Sequence, residues 1–304
     1  MRRPNWLVLI GLLLTLNLAL LLAPQAVVDP SPSPTPTLTA TSIPPTPTRT
    51  PTPTATPAPS PTPTCEPGRW ETGSLSIPMM GVEIPYQVYL PPCRSSARRY
   101  AALYLLHGYP YDQTHWDQLG IDEALEAGIR AGRWPPFLVV LPGFPDDLYV
   151  GTSGGPGSVE AAMMEFLIPH IEAHYPVEPA RWARAIGGIS RGGVWALEIA
   201  LRHPEAFASV GGHSPALSVN RAPPIYDPFL LAQEADLRGL RIYLDAGDAD
   251  WALEGTQRLA MILEARGIPA RLEVHPGGHE DALWARALEA YLDFYTEPWR
   301  LLGR

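Results

Sequence analysis

The stretch from Arg184 to Trp195 constrains the fold more than any other part of the sequence. Inside it, Gly188-Ile189-Ser190-Arg191-Gly192 matches the pattern G-x-S-x-G. In that pattern a serine stands on a sharp strand-to-helix turn, with its hydroxyl raised above a sheet. The flanking glycines fit such a turn, because side chains would collide there. Apolar residues precede the motif, and Val194 to His203 carries apolar residues at helical spacing. The stretch predicts a buried strand, a strained serine turn and a helix.

The remainder of the chain alternates apolar strand-like runs with helical patterns, which predicts an α/β fold with a mostly parallel central sheet and helices on both faces. Asp146 to Gly157 reads as a glycine-rich loop. The loop from Ser218 to Asp236 is the one segment long enough for a lid, and it is short, so we expect no large lid. The predicted strands are two within Ser74–Leu90, then Tyr100–Leu106, Phe137–Leu141, Phe207–Gly211, Leu240–Leu244 and Ala270–Val274, and the predicted helices are Ile121–Ala131, Ser158–His174, Leu253–Arg266 and Asp281–Tyr295.

Three segments of different composition predict the domain organisation. Residues 1–28 contain an apolar run, Trp6 to Ala23, after Arg2 and Arg3, which is typical of a signal peptide or a signal anchor. Residues 29–64 are rich in proline and threonine and predict a low-complexity linker. Residues 65–304 are long enough for one catalytic domain. We expect this domain outside the cytoplasm, either secreted or tethered to the membrane through the N-terminal segment alone.

The chain has two cysteines, Cys65 and Cys93, and both lie at the start of the predicted globular part. On the exported side of a membrane such a pair predicts a disulfide, which would stabilise the fold by about 3 kcal/mol. Two separate buried thiols are the alternative. Neither cysteine belongs to a C-x-x-C pair, so we expect no metal site at them. The net charge of −9 argues against a nucleic-acid partner.

A serine nucleophile needs a histidine base and an acid that orients the base. On this fold the partners follow the serine in the order acid, then histidine, each after a later strand. His279 is the preferred base because it lies in a glycine-rich loop before the last helix, with His275 as the alternative. The acid follows the Leu240–Leu244 strand, where Asp245, Asp248 and Asp250 all qualify. We favour Asp250, which lies far enough out to reach over the sheet edge.

The oxyanion of a tetrahedral intermediate needs donors, and two backbone N–H groups are predicted to supply them. One is the amide of Arg191, directly after the serine, and the other is the amide of Tyr109 in the loop that follows the first central strand. Asp112 and Trp116 in that loop, and Trp251 beside the predicted acid, are candidates for the substrate cleft. Packing and capping explain these three residues equally well.

The ordered motifs resemble those of the esterase D family of α/β-hydrolases. That family includes feruloyl esterases, S-formylglutathione hydrolase and the antigen 85 mycolyltransferases. The resemblance covers roughly Ser74 to Tyr295, and Arg191 departs from the methionine or leucine that often follows the family serine. The predicted role of its backbone N–H as an oxyanion donor does not depend on the side chain, while a role for the side chain in the acyl or alcohol pocket stays open. The motifs that carry the resemblance are Leu105-Leu106-His107-Gly108, Trp116, Leu167-Ile168-Pro169-His170-Ile171, Gly188-Ile189-Ser190-Arg191-Gly192-Gly193 and Gly278-His279 with Trp284.

The resemblance implies a serine esterase that acts through an acyl-enzyme, with Ser190 as nucleophile, His279 as base and Asp250 as acid. It implies no cofactor and no metal, and a substrate that is a small-molecule or polysaccharide-linked ester. An acyltransferase that passes the acyl group to a sugar or a cell-wall alcohol uses the same residues and stays an alternative. A non-catalytic surface domain that uses the hydrolase scaffold for binding is the other alternative.

Overall fold

The computed structural model describes residues 65–302. The predicted signal segment (1–28) and linker (29–64) lie outside the described residues. The centre of the domain is an eight-stranded sheet with the strand order β1-β2-β4-β3-β5-β6-β7-β8. β1 pairs antiparallel with β2, β2 pairs antiparallel with β4, and the remaining neighbours are parallel. The strands are β1 (Arg69–Ile77), β2 (Val82–Leu90), β3 (Ala102–Leu106), β4 (Leu138–Pro142), β5 (Arg184–Ile189), β6 (Ser209–His213), β7 (Arg241–Gly247) and β8 (Ala270–His275).

Helices cover both faces of this sheet. Because side chains alternate along a strand, Tyr104 and Leu106 pack into one apolar layer, whereas Leu103 and Leu105 pack into the other. The first layer includes residues of α5 to α8, and the second includes α2 and α9. The helices are α1 (His115–Gln118), α2 (Ile121–Arg130), α3 (Asp146–Gly151), α4 (Val159–Ala161), which continues through a π-helical segment (Ala162–Leu167) into α5 (Ile168–His174), then α6 (Arg191–Arg202), α7 (Pro228–Glu234), α8 (Leu253–Ala265) and α9 (Asp281–Leu302).

The predicted fold class is confirmed, and three segments differ from their predicted form. Pro228–Glu234 forms α7 within the segment Ser218–Asp236 that was predicted to be a loop. The segment Asp146–Gly151 is helical rather than a loop, because Pro145 precedes it in an extended conformation and two acidic residues occupy its first turn. β6 begins two residues later than predicted, at Ser209. None of the helices within residues 65–302 combines the length and the apolar character that a membrane crossing requires.

Cys65 and Cys93 are joined in a disulfide, with their Cα atoms 4.4 Å apart. The Cys93 amide donates to the carbonyl of Glu66 at 2.9 Å. Together these bonds attach the start of the described chain to the turn after β2. A link across 28 residues reduces the conformational freedom of the unfolded chain.

The central parallel strands end at the same edge of the sheet. β5 is followed directly by Ser190, and β7 leads into the turn that carries Asp250. The loop after β8, an edge strand, contains His279. Residues far apart in the sequence therefore emerge side by side, as the carboxyl ends of parallel strands do in open α/β sheets.

Candidate active site

Ser190 occupies a strained turn between β5 and α6. Its backbone has φ 55° and ψ −115°, a conformation rare for a residue with a side chain. The turn requires both flanking glycines. A Cβ at Gly188 would lie 2.3 Å from the carbonyl of Gly192, and one at Gly192 would lie 2.4 Å from the carbonyl oxygen of His107. The Ser190 amide donates to the carbonyl of His213 at 2.9 Å, which attaches the turn to β6. The motif therefore raises the serine above the sheet edge.

The structure brings Ser190, His279 and Asp250 into one hydrogen-bonded chain. His279 Nε2 lies 2.9 Å from Ser190 Oγ, and His279 Nδ1 lies 2.9 Å from Asp250 Oδ1. An ionised carboxylate only accepts, so Nδ1 carries the proton and Nε2 is left to accept from the serine hydroxyl. The acid is buried, the imidazole is 16% exposed and the serine is 8% exposed. A neutral imidazole held this way can remove a proton from the hydroxyl.

Asp250 stays a good acceptor although it is buried. Burial acts to raise the pKa of its carboxyl, but hydrogen bonds from His279, from the Ser214 hydroxyl and from the amide of Ala252 outweigh burial and lower the pKa below its ordinary value. The Ala252 amide donates to Oδ1 at 2.7 Å. Oδ2 is buried and has no hydrogen-bond donor within the described chain.

The alternative acids and the alternative base lie elsewhere. Asp248 accepts from the amide of Gly277 at 3.0 Å and so holds the loop that carries His279. Asp245, which also qualified as the acid, accepts from His213 and Tyr291 in the core. His275 Nε2 lies 3.6 Å from Asp245 Oδ2, whereas the imidazole beside Ser190 Oγ is that of His279. Of the three competing side chains, only Asp248 therefore holds a loop of the site.

Two tryptophan rings hold the His279 imidazole in place. The ring of Trp251 lies against it, with centroids 4.4 Å apart, and Trp284 meets it edge-on at 5.1 Å. Trp251 is 49% exposed, and its role as a cleft residue stays a prediction. Trp284 is buried, and its Nε1 donates to the Ser214 hydroxyl at 3.1 Å. The His279 ring is thus held from one side by the core and from the other by a half-exposed side chain.

The predicted oxyanion donors lie on two neighbouring segments. In the described chain the amides of Tyr109 and Arg191 have no hydrogen-bond acceptor, so both are available to an incoming oxyanion. Arg191 is the first residue of α6, where the partial positive charge of the helix adds to its amide. These are the groups that a developing negative charge beside Ser190 requires.

The pair of side chains that holds the Tyr109 segment, His115 and Asp281, was not predicted. The amide of Gly108 donates to Nδ1 of buried His115 at 3.1 Å, so the proton of that imidazole is on Nε2, which lies 3.1 Å from Asp281. Burial lowers the pKa of His115, while the hydrogen bond to Asp281 acts in the opposite direction. The Tyr111 ring stacks on His115 with centroids 3.7 Å apart. Asp281 begins α9, two residues after His279, so one short segment serves both the base and the oxyanion loop.

Of the cleft candidates, Trp116 lies in the core and Asp112 holds a turn. Trp116 is 1% exposed, and its Nε1 donates to the carbonyl of Leu106 at 3.0 Å, so this side chain belongs to the core. A tryptophan that can satisfy its N–H in the interior is stabilised there by its large apolar ring. Asp112 accepts from the amide and the hydroxyl of Thr114, and these hydrogen bonds hold a turn.

The side chain of Arg191 is engaged with the protein. Its three nitrogens donate to the carbonyls of Tyr149 and Thr152, at 2.9 and 2.8 Å, and to Asn220 Oδ1 at 3.2 Å. The guanidinium also lies over the ring of Trp195. It therefore links the segment after β4 to the loop after β6, on either side of the serine turn.

Within residues 65–302 there is no group of three or more His, Cys, Asp or Glu side chains arranged to hold a metal ion. What the site contains is a hydroxyl, a base that accepts its proton, an acid that stabilises the resulting imidazolium and two free amides. Such a set can attack a carbonyl carbon and stabilise the tetrahedral oxyanion.

The sequence matches a known family over most of its described length. The family model named "Putative esterase" matches residues 77–295. An endo-1,4-beta-xylanase/feruloyl esterase of Xylanibacter ruminicola is 30% identical over 227 residues, which are 72% of this chain and 29% of that protein. An esterase of Mycobacterium tuberculosis is 30% identical over an alignment of 234 residues, and the match covers 61% of this chain and 50% of that protein. The chain thus spans half or less of the length of these curated relatives.

Solved structures show the same fold. A ferulic acid esterase superposes with a TM-score of 0.69 at 25% identity, over 77% of this chain and 99% of that one. The S-formylglutathione hydrolase of Staphylococcus aureus superposes with a TM-score of 0.63 at 18% identity, over 75% of this chain and 99% of that one. Both likenesses confirm an α/β-hydrolase fold for the domain.

Proposed function

The chain belongs to the "Putative esterase" family of α/β-hydrolases, and from this membership we propose that it hydrolyses carboxylic esters with Ser190 as nucleophile. The observation that carries the proposal is the unbroken hydrogen-bonded chain from Ser190 Oγ through His279 to Asp250, with both contacts of His279 at 2.9 Å. A serine hydroxyl is a poor nucleophile without such a base, and the base needs a fixed tautomer to accept the proton.

The proposed reaction proceeds in two halves. His279 Nε2 takes the proton from Ser190 Oγ as the oxygen attacks the ester carbonyl carbon, and the carbonyl oxygen becomes an oxyanion that faces the amides of Tyr109 and Arg191. The tetrahedral intermediate collapses, and the imidazolium returns its proton to the departing alcohol oxygen. Water then attacks the acyl-serine with His279 as base again, which releases the acid and restores the hydroxyl. Asp250 keeps the imidazole in its productive tautomer and stabilises the imidazolium throughout.

Hydrolysis of p-nitrophenyl acetate tests the proposal directly. We expect Ser190→Ala to lower kcat/KM by about 10⁴-fold or more, because the nucleophile is removed while the cleft is unchanged. Ser74→Ala is the matched control, since Ser74 is an exposed serine on β1 that bonds Glu83, and its activity should equal that of the wild type. Ser190→Ala protein that hydrolyses the ester at the wild-type rate contradicts the mechanism.

We further propose that the domain works outside the cytoplasm. The Cys65–Cys93 disulfide supports this, since such bonds persist in oxidising compartments. The apolar run after Arg2 and Arg3 in the sequence supports export as well. Protease treatment of intact cells that express the full chain should remove the catalytic domain, whereas a cytoplasmic marker stays intact. Protection of the domain until the cells are lysed contradicts this proposal.

A further inference from the structure

A cavity of about 380 Å³ lies beside the serine turn. One wall is the end of α3 with Thr152 and Ser153, and the other is the segment from Ala216 to Arg221. Ala216 connects the cavity to the nucleophile, because its amide donates to the carbonyl of Ser190 at 3.0 Å. Arg191 forms part of the lining between the two walls. A group bound here lies next to the residue that would carry the acyl group.

The lining of the cavity is positively charged. It contains Arg191 and Arg221 and no acidic residue, in a protein with a net charge of −9. Arg191 donates only to neutral acceptors, which leaves its charge without a carboxylate partner within hydrogen-bonding distance. The acid whose charge acts on Arg191 is Glu198. Burial and the charge of Glu160 raise the pKa of Glu198 to about 8, so it is largely protonated at neutral pH. Arg191 is half-buried and Arg221 is exposed, and within the described residues neither guanidinium forms an ion pair with a carboxylate.

The polar groups of the lining are arranged as donors. Arg221 uses Nη1 for the carbonyls of Ser218 and Asn220, and its other nitrogens have no acceptor in the described chain. Arg191 can only donate, so its contact with Asn220 fixes Oδ1 as the acceptor and leaves the Asn220 Nδ2 amide hydrogens available. Exposed Val150 and Val219 provide apolar surface in the same cavity. The cavity therefore suits a short apolar stem that ends in an anion.

The position of His279 decides which part of an ester occupies the cavity. The alcohol oxygen must face His279, because the imidazolium protonates it as it leaves. Neither His279 nor Trp251 lines the cavity, whose walls come from the segments after β4 and β6. The acyl part is the portion of the substrate that remains on Ser190, and it extends away from the base.

We propose that this cavity is an anion-binding acyl subsite, with Arg221 as its specificity-determining residue, and that the favoured substrates are half-esters of short dicarboxylic acids. The carboxylate at the free end of the acyl chain pairs with Arg221 and accepts from Asn220, while Val150 and Val219 contact the methylenes. The inference rests on the proposed esterase function and deepens it by naming the acyl group.

Matched esters test the subsite. Monoethyl glutarate and ethyl pentanoate share three methylenes beyond the ester carbonyl and differ only in a terminal carboxylate or methyl. We expect kcat/KM to favour the half-ester by at least about tenfold, and Arg221→Gln to remove that preference, since a charge-assisted hydrogen bond is lost. Arg221→Lys should keep part of the preference because it keeps the charge. Arg238→Gln is the control, as Arg238 is an exposed arginine at the other end of β7, and it should keep the full preference.

Equal kcat/KM values for the two esters, or an equal loss of preference in Arg221→Gln and Arg238→Gln, overturn the inference. A second pair places the anion on the alcohol: a preference for 4-acetoxybutanoate over butyl acetate that exceeds the glutarate preference overturns the acyl assignment. Binding to Ser190→Ala separates this inference from the proposed function. Calorimetric titration of that variant with monoethyl glutarate should show binding that weakens at least about tenfold when Arg221→Gln is added. Absence of ester hydrolysis by the wild type refutes the proposed function, while absence of Arg221-dependent binding refutes the subsite.

Discussion

The protein contains two histidine–aspartate pairs in which the distance from the imidazole Nδ1 to the carboxylate is nearly identical. In one, His279 Nδ1 lies 2.9 Å from Asp250 Oδ1, and in the other His213 Nδ1 lies 2.8 Å from Asp245 Oδ1. Both acids come from β7 or the turn directly after it. The partner of the second imidazole nitrogen distinguishes the pairs. His279 Nε2 faces the Ser190 hydroxyl, whereas His213 Nε2 faces the Tyr295 hydroxyl at 2.9 Å.

Solvent access separates the two pairs further. His213 and Asp245 are both completely buried, and Tyr291 donates to the second oxygen of Asp245 at 2.7 Å. Every polar atom of that pair is therefore satisfied inside the core, which stabilises a unique packing and leaves no position for a substrate. The His279 pair ends instead on the hydroxyl of Ser190, which is 8% exposed. A histidine–aspartate pair becomes a catalytic element only when its free nitrogen meets a nucleophile that substrate can reach.

Activity provides the largest expected contrast. His279→Gln should lower kcat/KM for p-nitrophenyl acetate by about 10⁴-fold or more, because the base is removed. The kcat/KM of His213→Gln per folded molecule should stay within about tenfold of the wild-type value, because residue 213 is bonded to the serine turn only through its backbone carbonyl. Both variants are assayed well below their unfolding temperatures. A loss in His213→Gln as large as that in His279→Gln would erase the distinction between the pairs.

Stability should show the reverse order. His213→Ala leaves Asp245 buried without its main partner and should lower the free energy of unfolding by about 3–5 kcal/mol. His279→Ala removes a partly exposed ring and should cost about 1 kcal/mol or less. Chemical denaturation of the two variants measures both values. If His279→Ala is the less stable of the two, the core role assigned to the His213 pair is wrong.

The hydroxyl groups that face Nε2 of the two imidazoles predict a smaller difference in stability. Tyr295→Phe removes the hydroxyl that donates to His213 Nε2 and leaves a buried nitrogen unsatisfied, at a cost of about 1–3 kcal/mol. Ser190→Ala removes the hydroxyl that faces His279 Nε2, but that nitrogen is next to solvent, so the stability should change by less than about 0.5 kcal/mol. Thermal unfolding of the two single variants beside the wild type measures this contrast, and equal shifts contradict it.

The smallest effect concerns pH. The pKa of Asp250 is lower in the folded protein than its ordinary value, so its carboxylate contributes stability that is present above the unfolded pKa of about 4. That contribution is lost as the pH falls through the lower folded pKa. The wild type should therefore lose its stability advantage over Asp250→Asn between about pH 5 and pH 2. An advantage that stays constant over this range contradicts the account of the carboxyl.

The fold, and the hydrogen-bonded arrangement of Ser190, His279 and Asp250, could be predicted because each depends on a local pattern with a strict order. The serine turn requires glycines at Gly188 and Gly192, and His279 follows a glycine pair in a loop, so both patterns are visible in the sequence. The sequence distinguished Asp250 from Asp245 and Asp248 less clearly, since all three follow the one predicted strand Leu240–Leu244. Their hydrogen-bond partners, which separate them, come from distant segments.

The residues that were not predicted depend on contacts between remote segments. His115 holds the oxyanion loop only because Asp281, 166 residues later, accepts from it. Trp116 was a cleft candidate because the sequence does not show that its N–H reaches the carbonyl of Leu106 in the core. The α3 helix was read as a loop because glycines follow it directly. In each case local composition was ambiguous, and tertiary packing decided the outcome.

Covalent labelling with a fluorophosphonate probe tests the central claim most directly, because the probe reacts with a serine only when a base activates it. Peptide mapping of the labelled wild type should find one modified residue, Ser190, with labelling absent in Ser190→Ala, strongly slowed in His279→Gln and unchanged in His213→Gln. Modification of another serine, or labelling of Ser190→Ala at the wild-type rate, would contradict the assignment of the catalytic pair.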